Sequence, residues 1–183
     1  MTAVEAYELT TRGGASDFAR IVVACEAFGP YCLIGGLAVN CYVEPVYTLD
    51  ADLVVVASSL TPLTEHLKSA GFRTEVHAHS VNVFTSASDL RIQFTTDPRC
   101  QPFLERPVEF DVLGVRARVA CIEDVTRGKF WDWSDPQRRL SERKKDELDL
   151  IRLAEAHPEL ISLYPAELRR QLDCGCHAAV VSS

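Results

Sequence analysis

The sequence predicts an α/β or α+β fold, with a small mixed β-sheet flanked by helices and a helical C-terminal part. Three observations lead to this prediction. Helical and strand-like segments alternate over residues 16–71, β-branched residues alternate with polar ones over residues 72–119, and the pattern is helical again beyond residue 121. This order of elements favours a sheet that is covered by helices.

Two strands and three helices are predicted before the β-rich middle of the chain. Ser16 suits the N-cap of the first helix, and Gly29-Pro30 ends it. Pro62 fits an early helical position, where its missing N–H costs nothing, and Gly71 closes that helix. In chain order the predicted elements are helix 16–27, strand 31–34, helix 37–42, strand 50–57 and helix 61–70.

Four strands and then helices are predicted for the rest of the chain. The strands are 74–76, 81–84, 90–94 and 115–120. Asp135-Pro136 introduces the longest helix, which extends to residue 156, where His157-Pro158 ends it. A short helix over residues 165–172 follows.

Length and composition indicate one soluble domain. The chain of 183 residues is long enough to bury a sizeable core, and 47% apolar with 25% charged residues is ordinary for a globular protein. We expect a core over about residues 15–120, a helical part over about residues 121–173 and a flexible tail over residues 174–183.

Charge and hydropathy argue against two classes of protein. A formal net charge of −7 argues against broad electrostatic binding to nucleic acid or anionic membranes, although a local basic groove is compatible with it. No apolar run is long enough for a membrane span, and residues 1–12 lack the basic start and apolar core of a signal peptide. We therefore expect a cytoplasmic protein with no membrane partner.

The most informative segment joins a glycine pair to a pair of aspartates. Strand 31–34 stops at Gly35-Gly36, and after the spacer 37–49 Asp50 and Asp52 lead into an apolar strand. Residues i and i+2 of a strand point to the same face, so the two carboxylates would project together. Two such charges on an apolar strand favour a divalent cation site.

The glycine pair adds a candidate phosphate site. Gly35 and Gly36 lack Cβ atoms, so their backbone can approach a phosphate closely and donate N–H groups to it. The helix that begins after them would add its positive end. Each element also has a structural explanation, namely a tight turn and a solvent-facing strand start, but their joint spacing favours the site.

The motif I-G-G at residues 34–36 followed by D-A-D-L at residues 50–53 resembles the nucleotidyltransferase superfamily, the fold of DNA polymerase β and of aminoglycoside-type nucleotidyltransferases. The resemblance implies a nucleotidyltransferase fold with a C-terminal helical cap. It also implies transfer of NMP from an NTP to an acceptor hydroxyl, with Mg²⁺ or Mn²⁺ as cofactor. The implied catalytic metal ligands are Asp50 and Asp52, and the implied phosphate-binding residues are Gly35 and Gly36.

A second resemblance covers the C-terminal half. Residues 119–125, Gly128-Lys129 and the basic run 143–146 resemble the AbiEii-like toxin group of nucleotidyltransferases. This resemblance implies that Lys129 contacts the triphosphate and that Lys145 assists catalysis. It also implies an acceptor such as RNA and a cognate antitoxin protein as partner. The alternative is that Lys145 belongs to a solvated helical face with ordinary ion pairs.

The third carboxylate that active members of the superfamily usually carry is not found in the expected strand. Gln93 stands at its position, and a neutral amide cannot take the proton of the acceptor hydroxyl as a carboxylate would. Asp111 and Asp97 are candidate substitutes. The alternative function is therefore an impaired nucleotidyltransferase-fold module that binds a nucleotide or a partner.

Seven cysteines do not form a disulfide framework. Five are scattered, mostly in apolar stretches, where a free thiol packs as a small apolar group. The cluster Cys174-Gly175-Cys176-His177 has no matching second pair, so we expect no zinc site there.

Overall fold

The computed structural model describes residues 2–179, together with the side chains of residue 2 and residues 4–173. The chain divides after Gly128 into two compact units. The first unit contains the whole β-sheet, and the second is helical.

A mixed sheet forms the centre of the first unit, as the sequence predicts, but it has seven strands instead of the six predicted, because residues Val108–Val112 form an additional strand. The strand order is β3-β4-β5-β2-β1-β7-β6. Strand β2 is parallel to β5 and β1 is parallel to β7, whereas all other neighbours are antiparallel. The strands are β1 (Tyr31–Ile34), β2 (Asp50–Val55), β3 (Arg73–Val76), β4 (Ser80–Phe84), β5 (Arg91–Thr95), β6 (Val108–Val112) and β7 (Val115–Val119).

Seven α-helices and two short 3₁₀ helices are found in the described part of the chain. The α-helices are α1 (Ala3–Thr10), α2 (Gly14–Phe28), α3 (Gly35–Val39), α4 (Ala57–Ser69), α5 (Ile122–Ser134), α6 (Leu140–Ala156) and α7 (Ala166–Ala179). The 3₁₀ helices are Gln101–Glu105 and Pro158–Leu163. Among the described helices, none combines the length and the apolar character that crossing a membrane requires.

The N-cap of helix α2 lies three residues earlier than predicted, because side chains that precede the helix accept hydrogen bonds from its first N–H groups. The N-cap is Gly13, with φ of 100°, instead of Ser16. The hydroxyl of Thr11 accepts a hydrogen bond from the Gly14 N–H at 2.9 Å, and the Glu8 carboxylate accepts one from the Ala15 N–H at 2.8 Å. These side chains satisfy the free N–H groups of the first turn, so Ser16 is not needed for that role.

Helices α1, α3 and α4 also differ from the sequence prediction. Helix α1, which is not predicted, begins with a capping box between Thr2 and Glu5. Helix α3 begins at Gly35, so the glycine pair forms its first turn instead of preceding it. Helix α4 begins at Ala57, which places Pro62 inside the helix.

One half of the sheet has a buried face and a polar face. In β5, Ile92 and Phe94 are fully buried, whereas Arg91 and Gln93 are exposed. The same alternation occurs at the start of β2, where Ala51 is buried between two aspartates. Such alternation is typical of a sheet that packs on the core with one face only. The polar face of β4, β5 and β2 is therefore accessible to a ligand.

The second unit is built around α6. Buried Leu150 and Leu153 of this helix lie in the same unit as buried Leu160 and Tyr164, and the Tyr164 hydroxyl donates to the Leu150 carbonyl at 2.7 Å. Helix α6 begins at Leu140 instead of directly after Asp135-Pro136, because Asp135 forms a turn in which its carboxylate accepts from the Gln137 N–H at 2.8 Å.

The predicted tail over residues 174–183 extends beyond the described residues. Residues 174–179 continue α7, and residues 180–183 lie outside the description, as do the side chains of the Cys174-Gly175-Cys176-His177 cluster.

The five cysteine side chains that the structure describes are all free thiols: Cys25, Cys32, Cys41, Cys100 and Cys121. Burial raises the pKa of Cys41 to about 12, and burial with nearby anionic groups raises that of Cys32 to about 12. Because the thiolate is the reactive form, we expect these two thiols to resist iodoacetamide at pH 8 and to react rapidly in guanidinium. Mass spectrometry of timed samples would measure this, and rapid labelling of Cys32 in the native protein would contradict the buried core.

Candidate active site

Asp50 and Asp52 lie on the polar face of β2, two residues apart. The Asp50 side chain is 54% exposed, and its Oδ1 lies 3.6 Å from Nε of Arg91 on β5. Asp52 is half-buried beside Leu53, which is fully buried on the opposite face. The arrangement keeps both carboxylates within reach of a ligand on one side of the sheet.

Gly35 lies directly against the carboxylate of Asp52. Its φ of +70° belongs to the left-handed region that favours glycine. A Cβ atom at this position would lie 3.1 Å from Cγ of Asp52 and closer still to Oδ2. The register explains this contact, because Ile34, the last residue of β1, pairs with Asp52. Glycine is therefore required here both by the backbone angle and by the neighbouring carboxylate.

Thr48 connects Gly36 to the start of β2. A Cβ on Gly36 would lie 3.7 Å from Oγ1 of Thr48, which is an ordinary contact. The same hydroxyl accepts a hydrogen bond from the Asp50 N–H at 3.3 Å, and the Thr48 carbonyl accepts one from the Tyr7 hydroxyl at 2.9 Å. Burial, and then the proximity of Tyr47 and of the Asp50 carboxylate, raises the pKa of Tyr7 above its ordinary value, so this hydroxyl is protonated and donates at neutral pH.

The spacer between the glycines and the aspartates is also held by side-chain hydrogen bonds. Asn40 Nδ2 donates to the Val46 carbonyl at 2.7 Å, and the Val46 N–H donates to Asn40 Oδ1 at 3.0 Å. The next residue, Tyr47, is 60% exposed, and its ring centroid lies 6.1 Å from that of Tyr7. The segment that links α3 to β2 therefore has a defined path.

Gln93 is the residue opposite Asp52 on the next strand. Strands β2 and β5 are parallel, and their register pairs Asp52 with Gln93 and Asp50 with Arg91. A polar row thus crosses the sheet beside the glycine turn. It starts at Asp52, passes through Gln93 and reaches Asn82 on β4.

Solved structures of known proteins share this fold at low sequence identity. The antibiotic-resistance factor ANT(2″)-Ia, in complex with adenylyl-2″-tobramycin, matches with a TM-score of 0.57 at 13% identity over 87% of this chain and 97% of that chain. A nucleotidyltransferase-like protein from Paracoccidioides brasiliensis matches with a TM-score of 0.54 at 17% identity over 79% and 77%. The chain has the nucleotidyltransferase fold. No family model and no curated protein sequence matches it.

The strand in which the resemblance leads us to expect a third carboxylate is β5, and it presents Gln93. Neither candidate substitute lies in the row of Asp52. Asp111 is on β6, which β1 and β7 separate from β2, and its Oδ1 accepts from the Gly114 N–H at 3.0 Å. Asp97 follows the end of β5, where hydrogen bonds from Arg99 lower its pKa. The described side chains contain no group of three His, Cys, Asp or Glu residues suited to a metal.

The two lysines that the AbiEii-like resemblance singles out both lie in the second unit. Lys129 is buried, with its Nζ 2.7 Å from Oδ2 of Asp149 and 2.9 Å from Oδ1 of Asp146. Lys145 is 69% exposed and pairs with Glu142 at 3.2 Å. Their contribution to phosphate binding and catalysis stays a prediction, and the structure adds that the Lys129 ammonium already has two carboxylate partners.

Asn82 and His77 are polar neighbours of the site that the sequence analysis does not identify. Gln93 Nε2 donates to Asn82 Oδ1 at 3.0 Å, and Asn82 Nδ2 lies 3.2 Å from Nε2 of His77. The alternation in β4, with buried Val81 and Val83 around Asn82, was the signal that could have placed Asn82 on the polar face.

The donor set fits a hard divalent cation. Asp50 and Asp52 offer carboxylate oxygens and Gln93 offers an amide oxygen on the same face, without a thiolate or imidazole in the row. Oxygen ligands of this kind are those that Mg²⁺ prefers, and Mg²⁺ in such sites takes its remaining ligands from water and phosphate. The glycine turn beside Asp52 leaves room for backbone N–H groups to face a phosphate.

Proposed function

We propose that this chain is a nucleotidyltransferase that moves NMP from an NTP to an acceptor hydroxyl with Mg²⁺, for which Mn²⁺ can substitute. The observation that carries the proposal is the close approach of the Gly35 backbone to the carboxylate of Asp52, with Asp50 on the same face. This contact places the glycine turn next to a carboxylate, which is the arrangement that a metal-bound triphosphate would need.

Asp50 and Asp52 would hold the cation. When bound, it would neutralise charge on the triphosphate and polarise the reacting phosphoryl group. The protein supplies little covalent chemistry in phosphoryl transfer, so its residues act by position and charge. Arg91 lies near Asp50 and keeps one positive group at the edge of the site.

Gly35 and Gly36 would bind the triphosphate through their backbone. They form the first turn of α3, whose N–H groups have no partners within the helix. Because neither residue has a Cβ, phosphate oxygens can approach these donors closely. The N–H groups of the turn would then contact the phosphate oxygens, and the two carboxylates would contact the cation that is bound to the same triphosphate.

The acceptor and the protein partner rest on the AbiEii-like resemblance. We propose an RNA acceptor, a cognate antitoxin and a cytoplasmic location, with Lys129 and Lys145 assisting at the triphosphate. The net charge of −7 favours a local contact with RNA over a broad one.

The second candidate function is a binding module that holds an NTP without transferring it. Gln93 favours it, because no carboxylate stands at the position of the third acid. Calorimetry with an NTP and an assay of turnover separate the two functions. Tight binding without turnover, including in Gln93→Asp, would support the binding module.

The transferase proposal is tested with α-labelled NTPs, Mg²⁺ and total RNA. We expect label transfer that EDTA abolishes and that Asp50→Ala/Asp52→Ala lowers by about 100-fold or more, since loss of the cation removes several kcal/mol of charge stabilisation. Asp111→Ala is the matched control, because this exposed carboxylate lies on β6. Absence of Mg²⁺-dependent transfer, or equal transfer by the double variant, would reject the proposal.

A further inference from the structure

The polar row that continues from Asp52 contains a series of side-chain hydrogen bonds, in which each amide nitrogen points away from Asp52. Asp52 on β2, Gln93 on β5 and Asn82 on β4 are consecutive register partners, so their side chains leave the sheet on the same face. Gln93 lies between the other two and has neighbours on both sides.

The amide nitrogen of Gln93 faces away from the aspartates. Its Nε2 donates to Oδ1 of Asn82 at 3.0 Å. The oxygen and nitrogen of an amide are bonded to the same carbon and point in different directions. With the nitrogen held on the β4 side, the carbonyl oxygen Oε1 is free to face the β2 side, where Asp52 lies.

His77 holds the orientation of Asn82. Asn82 Nδ2 lies 3.2 Å from Nε2 of His77, and a neutral imidazole with its proton on Nδ1 accepts this hydrogen bond. The order of donors and acceptors is then consistent along this series of hydrogen bonds: Gln93 donates to Asn82, and Asn82 donates to His77. The reverse order would turn the Gln93 NH₂ group, a donor that binds no cation, towards Asp52.

We propose that Gln93 is a neutral third oxygen ligand of the cation held by Asp50 and Asp52, and that Asn82 is the positioning residue that turns its carbonyl oxygen towards them. This inference rests on the proposed function, because it assumes the cation site. A carboxylate would not need such a neighbour, since it presents oxygen on both sides. An amide does need it, because only one of its two terminal atoms can bind a cation.

The inference is tested by titrating the full chain with MnCl₂ and following the electron paramagnetic resonance signal of free Mn²⁺. We expect Gln93→Leu and Asn82→Leu each to weaken Mn²⁺ binding by about three- to tenfold, the range that one net hydrogen bond or ligand contact supplies. Asn82→Asp should retain binding, because its carboxylate still accepts from the Gln93 amide.

The double variants distinguish positioning from a structural role. In a Gln93→Glu background the added charge should tighten Mn²⁺ binding, and Asn82→Leu should then have no effect, because a carboxylate needs no orientation. Equal losses from Asn82→Leu in both backgrounds would overturn the positioning role. Thermal unfolding of each variant shows whether the fold is retained, and Asn82→Ser replaces Asn82→Leu if the latter fails to fold.

The two proposals fail in different ways. If Mn²⁺ binding depends on Asp52 but is the same in Gln93→Leu, the inference on Gln93 is wrong and the cation site stands. If Mn²⁺ binding is unchanged in Asp52→Asn, the cation site itself is wrong, and both proposals fall.

Discussion

Gly35→Ala is expected to lower NMP transfer by about 100-fold or more, as loss of the metal ligands does, while the protein still folds. Two effects add at this position. The backbone at φ +70° costs an alanine about 1–2 kcal/mol. The new Cβ would also press on the Asp52 carboxylate, which must move away from the position where it would hold the cation. Transfer assays and chemical unfolding of the same samples measure both effects.

Two other glycines provide matched controls for Gly35. Gly71 has a φ of +94° with nothing within 4 Å of an added Cβ, so Gly71→Ala carries the backbone cost alone and should retain transfer. The added Cβ in Gly36→Ala makes only an ordinary contact with Thr48, so this variant should lower transfer more than Gly71→Ala does and less than Gly35→Ala does. Full transfer by Gly35→Ala, or equal losses in Gly35→Ala and Gly71→Ala, would show that the contact with Asp52 has no role in transfer.

Lys129→Met is expected to destabilise the protein by about 3 kcal/mol, near the lower end of the range for removing one partner of a buried ion pair. The methionine keeps the apolar length of the side chain but leaves Asp146 and Asp149 without the ammonium group. The cost stays at the lower end because Asp146 retains Arg138 at 3.1 Å and Asp149 retains Arg152 at 2.8 Å. Urea unfolding gives the change in the free energy of unfolding.

The same ion pair predicts a dependence on alkaline pH. Burial lowers the pKa of Lys129, but the charges and hydrogen bonds of Asp149 and Asp146 outweigh burial and raise it above the ordinary lysine value. A raised lysine pKa contributes stability that is present below about pH 10 and is lost as the pH rises through the folded-state pKa. Lys129→Met should lack this alkaline loss of stability.

Lys145→Met is the matched control for Lys129, because Lys145 is an exposed lysine at the start of the same unit's longest helix. It should leave the free energy of unfolding unchanged. If Lys129→Met also left stability unchanged, the structural account of its ion pairs would be wrong. Weaker NTP binding by folded Lys129→Met would support the proposed role of Lys129 at the triphosphate.

The part of the fold that local sequence signals determine could be predicted. Strand β1 has the predicted bounds, and β2 begins at Asp50 as predicted, because a short apolar run that stops at glycine is a local pattern. The candidate site could be proposed from the motif because the glycine pair follows β1 directly and the aspartates begin β2, whereas the contact between Gly35 and Asp52 itself depends on the antiparallel pairing of these two strands.

Features that depend on contacts between distant residues could not be predicted. The first N–H groups of α2 donate to Thr11 and Glu8, which precede the helix, so the prediction that the helix starts at Ser16 was wrong. The polar row from Asp52 to Asn82 depends on the register of three strands, which periodicity does not specify. The partners of Lys129 lie on α6, one helix later, and a helix pattern alone does not show which side chains meet across two helices.

The central claim is that Asp50 and Asp52 hold a cation against a triphosphate bound at the Gly35 turn. An anomalous difference map from a crystal with Mn²⁺ and a non-hydrolysable NTP tests it most directly. The account predicts one manganese peak about 2.0–2.5 Å from oxygens of both carboxylates, with phosphate density at the N–H groups of Gly35 and Gly36. A triphosphate bound elsewhere, or manganese without either aspartate as ligand, would contradict it.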